Sequence, residues 1–423
     1  MYQKQIFPNK TRLILVPQKD TQAMTILFLF GVGSRYETKE INGVSHFIEH
    51  LMFKGTKKRP TTLDISKELD RVGAEFNAMT SKDFTGYYIK ISHEKSELAV
   101  DVLSDMLLNS KFDIKEMNKE RGVIIEEINM YQDNPLMHIE TLIEELMYSG
   151  NSLGWDVAGP VSVIKKVTQK QLVNYKNSYY RSDNVVITLA GKINDKILKL
   201  IKTKYVDKVV VADSQMTTFK NFKSNQKEAR IKTTYKATKQ VQLALGFPAF
   251  ANSDPRKYAL HLLSVILGGN MSSRLFISVR EKRGLAYFVR CYPNFYQDTG
   301  NLFVQSGLDS TRFEEAVKVI LGELKSVKQK GVTVKELQNA KDFIRGKFIL
   351  SLEDSSQLAE FFAKQELLTD ELLTPAQKIK KYDAVTIDEI KAIAREIFVK
   401  EKLNMVTIGP FKSAEKFYKL INL

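Results

Sequence analysis

The sequence predicts an α+β protein built from two homologous halves, each an α/β sandwich with an antiparallel-rich sheet flanked by helices. Two observations predict this class: an internal repeat, and an order of strand-like segments followed by long helical segments within each half. The length agrees, because 423 residues exceed what one compact domain usually holds. We therefore expect two domains.

The repeat rests on four pairs of segments that occur in the same order at an offset near 217 residues. The pairs are 99–103 with 316–320, 114–117 with 334–337, 167–168 with 385–386, and 184–191 with 404–409. A polar stretch without apolar periodicity, 214–228, is predicted as the linker. This places the N-terminal domain at 1–213 and the C-terminal domain at 229–423.

Apolar periodicity predicts the elements of the first half. The predicted strands are 13–17, 25–31, 76–80 and 84–92, and the predicted helices are 43–53, about 94–109, and 114–133. Strands that cluster early, with long helices after them, favour a sandwich over a doubly wound parallel sheet.

Composition narrows the class of protein. A hydrophobic fraction of 43% is that of a soluble globular chain, and no apolar run is long enough for a membrane helix. The single cysteine, Cys291, and the absence of a signal-like N-terminal stretch predict a cytoplasmic location without membrane association. The net charge of +15 comes from scattered residues such as Lys57 and Lys58, which predicts solvated helix faces and no nucleic-acid partner.

The predicted helix 43–53 carries His46, Glu49 and His50, with Asn42 as its expected N-cap. Four residues advance slightly more than one helical turn, so the two histidines share a face and can bind one Zn²⁺. Glu49 lies on the flank of that face and can reach a metal-bound water without ligating the ion. The order H-x-x-E-H is that of the inverted zinc metallopeptidases, the inverzincins.

A catalytic zinc needs a third protein ligand, and the predicted helix 114–133 has two carboxylates on one face, Glu120 and Glu127. They share a predicted face with four apolar side chains: Val123, Ile124, Ile128 and Tyr131. Carboxylates in an apolar stripe are costly without a cation. Glu127 as a ligand and Glu120 as acceptor for a histidine N–H would remove that cost. The residues alone leave equally open that both are ordinary acids of a helix surface.

These motifs resemble the pitrilysin–insulinase family of zinc metallopeptidases, including its bacterial short-chain members and the mitochondrial processing peptidase subunits. In that family 76 residues separate the motif from the ligand glutamate, which falls on Glu127 here, and a second glutamate seven residues earlier falls on Glu120. The segments 53–56 and 85–88 also look like the family. The resemblance implies the family's duplicated metallopeptidase fold.

The same resemblance implies a substrate-binding strand in the first half. Asn77, Ala78, Met79 and Thr80 match a family strand that forms a sheet edge, where an extended substrate adds as a further strand. An ordinary buried hairpin is the alternative for this segment.

In the second half, Arg280 and Tyr287 match a family pair seven residues apart. The resemblance implies that this pair completes the active site from the opposite half, with Arg280 holding substrate and Tyr287 stabilising the oxyanion. A degenerate copy of the metal motif stands at offset 215, where His261 is followed by Ser264 and Val265. Serine and valine cannot serve as base and ligand, so one zinc per chain is expected.

The implied function is hydrolysis of internal bonds in peptides or unfolded segments, with Glu49 as general base on zinc-bound water. Family members enclose a chamber with four halves, so a chain with two halves is expected to dimerise. The metal motif and the Arg280–Tyr287 pair are both intact in this chain, so a homodimer would form complete active sites. A heterodimer with a zinc-less paralogue is the open alternative. The alternative is a non-catalytic structural or assembly subunit of the same family, which the intact motifs disfavour.

Overall fold

The computed structural model describes residues 2–211, 216–369, 371–421 and 423. The predicted domain boundary at 213 and the first two residues of the predicted linker lie outside the described residues. The chain forms two compact units. The first consists of Met1–Asn129, Trp155–Lys220 and Phe348–Thr374, and the second of Met130–Gly154, Asn221–Lys347 and Pro375–Leu423.

The first unit contains a six-stranded sheet. Its strands are β1 (Gln3–Ile6), β2 (Arg12–Pro17), β3 (Ala23–Phe30), β4 (Glu75–Thr80), β5 (Thr85–Ser92) and β6 (Val185–Gly191). They lie in the order β1-β2-β6-β3-β5-β4, which leaves β4 at an edge. The β2–β6 pair is parallel and the other neighbouring pairs are antiparallel.

The second unit contains a five-stranded sheet of the same kind. Its strands are β7 (Arg230–Tyr235), β8 (Gln240–Ala249), β9 (Ala286–Phe295), β10 (Gly300–Asp309) and β11 (Asn404–Gly409). In the order β7-β11-β8-β10-β9, the β7–β11 pair is parallel and the others are antiparallel. Both sheets are thus antiparallel-rich, as predicted.

Helices flank the two sheets. In chain order they are α1 (Val44–Met52), α2 (Thr62–Asp70), α3 (Ser96–Asn109), α4 (Ile114–Asp133), α5 (Pro135–Met147), α6 (Val161–Ile164), α7 (Gln169–Tyr179), α8 (Asp195–Ile201), α9 (Lys257–Ser264), α10 (Phe313–Lys330), α11 (Val334–Leu352), α12 (Ser355–Leu368), α13 (Pro375–Asp383), α14 (Ile387–Ile397) and α15 (Glu415–Tyr418). None of the described helices combines the length and apolar composition that crossing a bilayer requires. The predicted strands and helices of the first half are confirmed to within a few residues.

The sequence repeat corresponds to repeated local structure. The Thr168 hydroxyl accepts from the Gln171 N–H at the start of α7, and the Thr386 hydroxyl accepts from the Glu389 N–H at the start of α14. In both cases the side chain three residues on bonds back to the threonine N–H, which completes a capping box. The paired segments 167–168 and 385–386 therefore begin equivalent helices.

Each half of the chain contributes one helix to the unit built mainly from the other half. By its contacts α5 belongs to the second unit, where Ile139 and Ile143 join a buried cluster with Ala244 and Phe303. In the same way α12 belongs to the first unit. The compact units therefore differ from the two continuous halves of the chain. The predicted domain ranges 1–213 and 229–423 describe the sequence repeat, and they stay a prediction.

We expect Phe362→Ala in α12 to lower the free energy of unfolding by about 3–5 kcal/mol, because it leaves a cavity in a packed cluster. Phe362 is 2% exposed and lies in one buried cluster with Leu27 and Val186 of the first sheet. Chemical denaturation measures the effect. Leu350→Ala is the control, since Leu350 is 71% exposed and its loss should change stability by less than about 0.5 kcal/mol. Equal midpoints for the two variants would contradict this account of α12.

Candidate metal centre

The helix that carries the metal motif is fixed at its start by a buried carboxylate. Glu37 accepts from the Gly43 N–H and the Ser45 N–H, each at 2.7 Å, and from the Asn42 side chain at 2.9 Å. Burial raises the pKa of Glu37 to about 7, and these three donors work in the opposite direction. The prediction that Asn42 caps α1 is wrong: its side chain donates to Glu37, and the Glu37 carboxylate accepts from two N–H groups at the start of the helix, those of Gly43 and Ser45.

Gly43 is required at this position for two reasons. Its φ of 100° lies in the left-handed region, and a Cβ there would stand 2.5 Å from the Ala158 carbonyl oxygen. The tight entry into α1 therefore depends on a residue without a side chain.

His46, His50 and Glu127 form the one group of potential metal ligands found within the described part of the chain, with ligand atoms within 4.8 Å of one another. The two Nε2 atoms are 3.2 Å apart. The Glu127 Oε2 atom lies 3.7 Å from His46 Nε2 and 3.5 Å from His50 Nε2. Two ligands about 2.1 Å from one zinc ion at a tetrahedral angle lie roughly 3.4 Å apart, so the group fits Zn²⁺.

The outer nitrogen of His50 is held by Glu120, in a contact that orients the ring. Nδ1 lies 2.8 Å from Glu120 Oε1, and because a carboxylate only accepts, Nδ1 carries the proton. Nε2 then faces the metal position, where a bound zinc ion would take the place of its proton. The other Glu120 oxygen lies 2.6 Å from the Lys54 ammonium group. The chain His50–Glu120–Lys54 is the arrangement expected behind a zinc-binding histidine.

The two histidines differ in their electrostatic surroundings. Burial lowers the pKa of His46 to about 4, and the adjacent His50 adds to this shift. At His50 burial also acts to lower the pKa, but hydrogen bonds with Glu120 and Glu127 outweigh it and raise the pKa to about 9. His46 Nδ1 is buried and has no hydrogen-bond partner among the described residues. His46 is therefore a neutral imidazole near neutral pH, whereas His50 is protonated and would lose a proton on binding zinc.

Glu49 lies beside this group without joining it. Its Oε2 atom accepts a short hydrogen bond from the Thr80 hydroxyl at the end of β4. Burial raises the pKa of Glu49, and the Thr80 hydrogen bond opposes the shift. The sequence indicated Thr80 as a substrate contact, and its bond to Glu49 was not predicted.

The predicted apolar stripe of α4 is only partly buried. Ile124 and Ile128 are buried, but Val123 and Tyr131 are 52% and 37% exposed, so only part of the stripe lies in the core. Val123 lies about 100° around the helix from Ile124, which is enough to turn it to solvent. The carboxylate of Glu127 thus lies at the border of the packed face, where it can reach both histidines.

The second unit holds Arg280 and Tyr287 close to each other. The guanidinium of Arg280 lies over the Phe276 ring at 4.8 Å and 5.9 Å from the centre of the Tyr287 ring. Tyr287, at the start of β9, is 76% exposed. His261 in α9 pairs through Nδ1 with the Tyr382 hydroxyl at 2.8 Å, and burial lowers its pKa to about 4.

Asn77, Ala78, Met79 and Thr80 all lie in β4, which pairs with β5 on one side. β4 is the edge of the six-stranded sheet, so its other side carries backbone groups that no neighbouring strand of that sheet uses. The residues of β4 are exposed or half-buried, so the strand is not buried, and its role in substrate binding stays a prediction.

Comparison with known proteins places the chain in a family. The family model described as insulinase, peptidase family M16, matches residues 12–161, and the one described as peptidase M16 inactive domain matches residues 166–343. An uncharacterized zinc protease of Bacillus subtilis (strain 168), YmxG, is 36% identical over 93% of this chain and 95% of its own length. The chain belongs to the M16 peptidase family.

One further relative agrees with this assignment, and one solved structure agrees with the fold. The mitochondrial-processing peptidase subunit beta of Dictyostelium discoideum is 27% identical to this M16 chain over 89% of the chain and 82% of its own length. The crystal structure of a protease from Helicobacter pylori has a TM-score of 0.91 and 24% identity, covering 97% of this chain and 99% of its own. The predicted family and the predicted two-half α+β fold are both confirmed.

Lys54 is a residue of this M16 site that the sequence did not single out as functional. We expect Lys54→Met to weaken zinc binding by about tenfold, because Glu120 loses the cation that holds it against His50. Competition with a zinc-binding dye measures the affinity directly. Lys54→Arg should restore it, and Lys115→Met, which removes an exposed lysine at the start of α4, should leave it unchanged. Native affinity in Lys54→Met would show that Glu120 orients His50 unaided.

Proposed function

We propose that the protein is a zinc-dependent endopeptidase that hydrolyses internal bonds of peptides and unfolded segments. The observation that carries the proposal is the group His46, His50 and Glu127, with Glu49 held beside it by Thr80. The group provides three protein ligands at tetrahedral spacing, and Glu49 provides a carboxylate that is not needed as a ligand. The name zinc protease on M16 relatives supports the same chemistry.

His46, His50 and Glu127 would hold the ion, which when bound supplies a Lewis acid for water and for the scissile carbonyl. Glu49 accepts the proton of the attacking water and returns it to the leaving amine, so the carboxylate is regenerated in each cycle. Thr80 orients Glu49 through its hydroxyl.

An extended substrate adds to the free side of β4 by backbone hydrogen bonds. Edge strands accept such additions because their N–H and C=O groups are unpaired. This mode of binding requires an unfolded or flexible segment. It therefore supports peptides and unfolded chains as the substrate class.

The second unit contributes Arg280 and Tyr287, whose side chains lie close together in the described structure. We propose that Arg280 binds substrate backbone or carboxylate and that the Tyr287 hydroxyl donates to the developing oxyanion. We further propose a homodimer, in which these two residues serve the metal group of the partner subunit.

Incubation of the zinc-loaded protein with a mixed peptide library, followed by mass spectrometry of the products, tests the proposed activity. Internal cuts that disappear on chelation are the expected result. Removal of single terminal residues would instead indicate an exopeptidase. Intact peptides across the whole library would favour the alternative of a non-catalytic subunit.

We expect co-expressed Glu49→Gln and Tyr287→Phe subunits, carrying different tags, to regain about half of native activity per dimer after purification on both tags, although each variant alone is nearly inactive. Every dimer that carries both tags is mixed, and one of its two sites has both groups intact if each site is shared between subunits. Hydrolysis of a quenched fluorescent peptide by the doubly purified dimer measures this. If Tyr287 acts within its own chain, every site carries a defect and no activity returns.

A further inference from the structure

A cavity of about 670 Å³ lies in the first unit, apart from the metal group. Its walls come from α3, the end of α7, and the loops around 57 and 208. Five lysines line it: Lys57, Lys58, Lys176, Lys204 and Lys208. None of the three proposed metal ligands contributes to its wall.

The two acids of the cavity are already paired. Asp101 forms ion pairs with Lys58, with Arg59 at 2.7 Å and with Lys204 at 2.8 Å. Asp105 accepts from the same Arg59 at 3.0 Å. These bonds account for both carboxylates and leave the remaining lysines of the wall without a counter-charge.

Lys57, Lys176 and Lys208 have no ion-pair partner among the residues that the structure describes. Lys176 is half-buried, and burial lowers its pKa to about 8 without any nearby acid to oppose the shift. A partly buried ammonium group without a partner costs free energy of folding. Lys57 and Lys208 are exposed. A multivalent anion in the cavity would give all three charges a partner.

We propose that this cavity binds a phosphate-bearing small molecule with at least two negative charges, held by Lys57, Lys176 and Lys208. Lysine ammonium groups are compact charges that suit phosphate oxygens. The volume falls within the usual range of about 300–1,000 Å³ for small-molecule sites. Leu108 and Val210 add apolar surface to the lining, which suits an organic group attached to the phosphates.

Isothermal titration of the full-length zinc-loaded protein at low salt tests the proposal, with pyrophosphate as the charge-only probe and adenosine diphosphate as the probe with an organic group. Saturable binding of both is expected, and Lys176→Met should weaken it at least about tenfold, since a charge-assisted bond is lost. Tighter binding of adenosine diphosphate would support an organic phosphate. Equal affinities for the two probes would show that the cavity recognises the phosphate groups alone.

Lys199→Met is the matched control, because Lys199 is an exposed lysine outside the cavity and its loss removes the same charge. It should bind both probes within about twofold of the native protein. Lys176→Met should unfold at the native temperature or above, because it removes an unpaired charge. The exposed pair Lys57→Met and Lys208→Met provides a second variant that should also bind more weakly. The proposal would be overturned if Lys176→Met bound the probes with native affinity, as expected for anions bound at zinc or by overall charge. It would also be overturned if the native protein showed no saturable binding.

Discussion

Glu49→Gln protein should hold zinc like the native protein and cleave peptides about a thousandfold more slowly. The carboxylate is not among the group of ligand atoms, so its replacement leaves His46, His50 and Glu127 in place. Glutamine keeps the size of the side chain and an oxygen that can accept from Thr80, but it cannot take a proton from water. Loss of a positioned general base typically removes a factor of about 10²–10⁴ in rate.

Two measurements on the same preparation decide this prediction. The turnover rate on a quenched fluorescent peptide reports the chemical step, and metal content by mass spectrometry reports the site. If zinc is lost together with activity, Glu49 is a ligand and not the base. If activity is kept, another group accepts the proton.

Glu127→Gln should weaken zinc binding by more than about 100-fold and abolish peptide hydrolysis at limiting zinc. Glu127 is the carboxylate ligand of the group, 3.5 Å from His50 Nε2, and a neutral amide oxygen is a weaker ligand for zinc. The hydrogen bond with His50 lowers the pKa of Glu127, so the carboxylate is ionised and available near neutral pH.

The neighbouring residue provides a matched control for this substitution. Glu126 is exposed on the same turn of α4, so Glu126→Gln changes the same charge without touching the histidines. It should bind zinc and cleave peptides like the native protein. Equal loss of zinc in both variants would show that general charge around α4, and not ligation by Glu127, holds the ion.

The local parts of the site follow from the sequence because they depend on helical spacing. His46 and His50 lie one turn apart in α1, and the spacing alone predicts that their rings meet. For Glu127, the pattern of residues left two interpretations open, a metal ligand or an ordinary acid of a helix surface. Its place beside the histidines depends on how α4 packs, which periodicity cannot supply.

The parts that sequence reasoning missed depend on contacts between distant residues. Lys54 follows His50 by four residues, but its partner Glu120 lies on another helix, so the sequence offers no local signal for the pair. The place of α12 in the first unit also depends on distant residues. Its Ser355 hydroxyl shares a hydrogen bond with the Thr25 hydroxyl, 330 residues away in the sequence. An apolar face predicts that a helix is buried but does not indicate which sheet the helix covers.

Zinc titration of chelator-treated protein, with peptide hydrolysis measured at each step, tests the central claim most directly. No cleavage is expected without metal, and activity should rise linearly with added zinc and reach its plateau at one zinc per chain. Cleavage by the metal-free protein at the native rate would contradict the account. So would an absence of cleavage after one zinc per chain has bound at His46, His50 and Glu127.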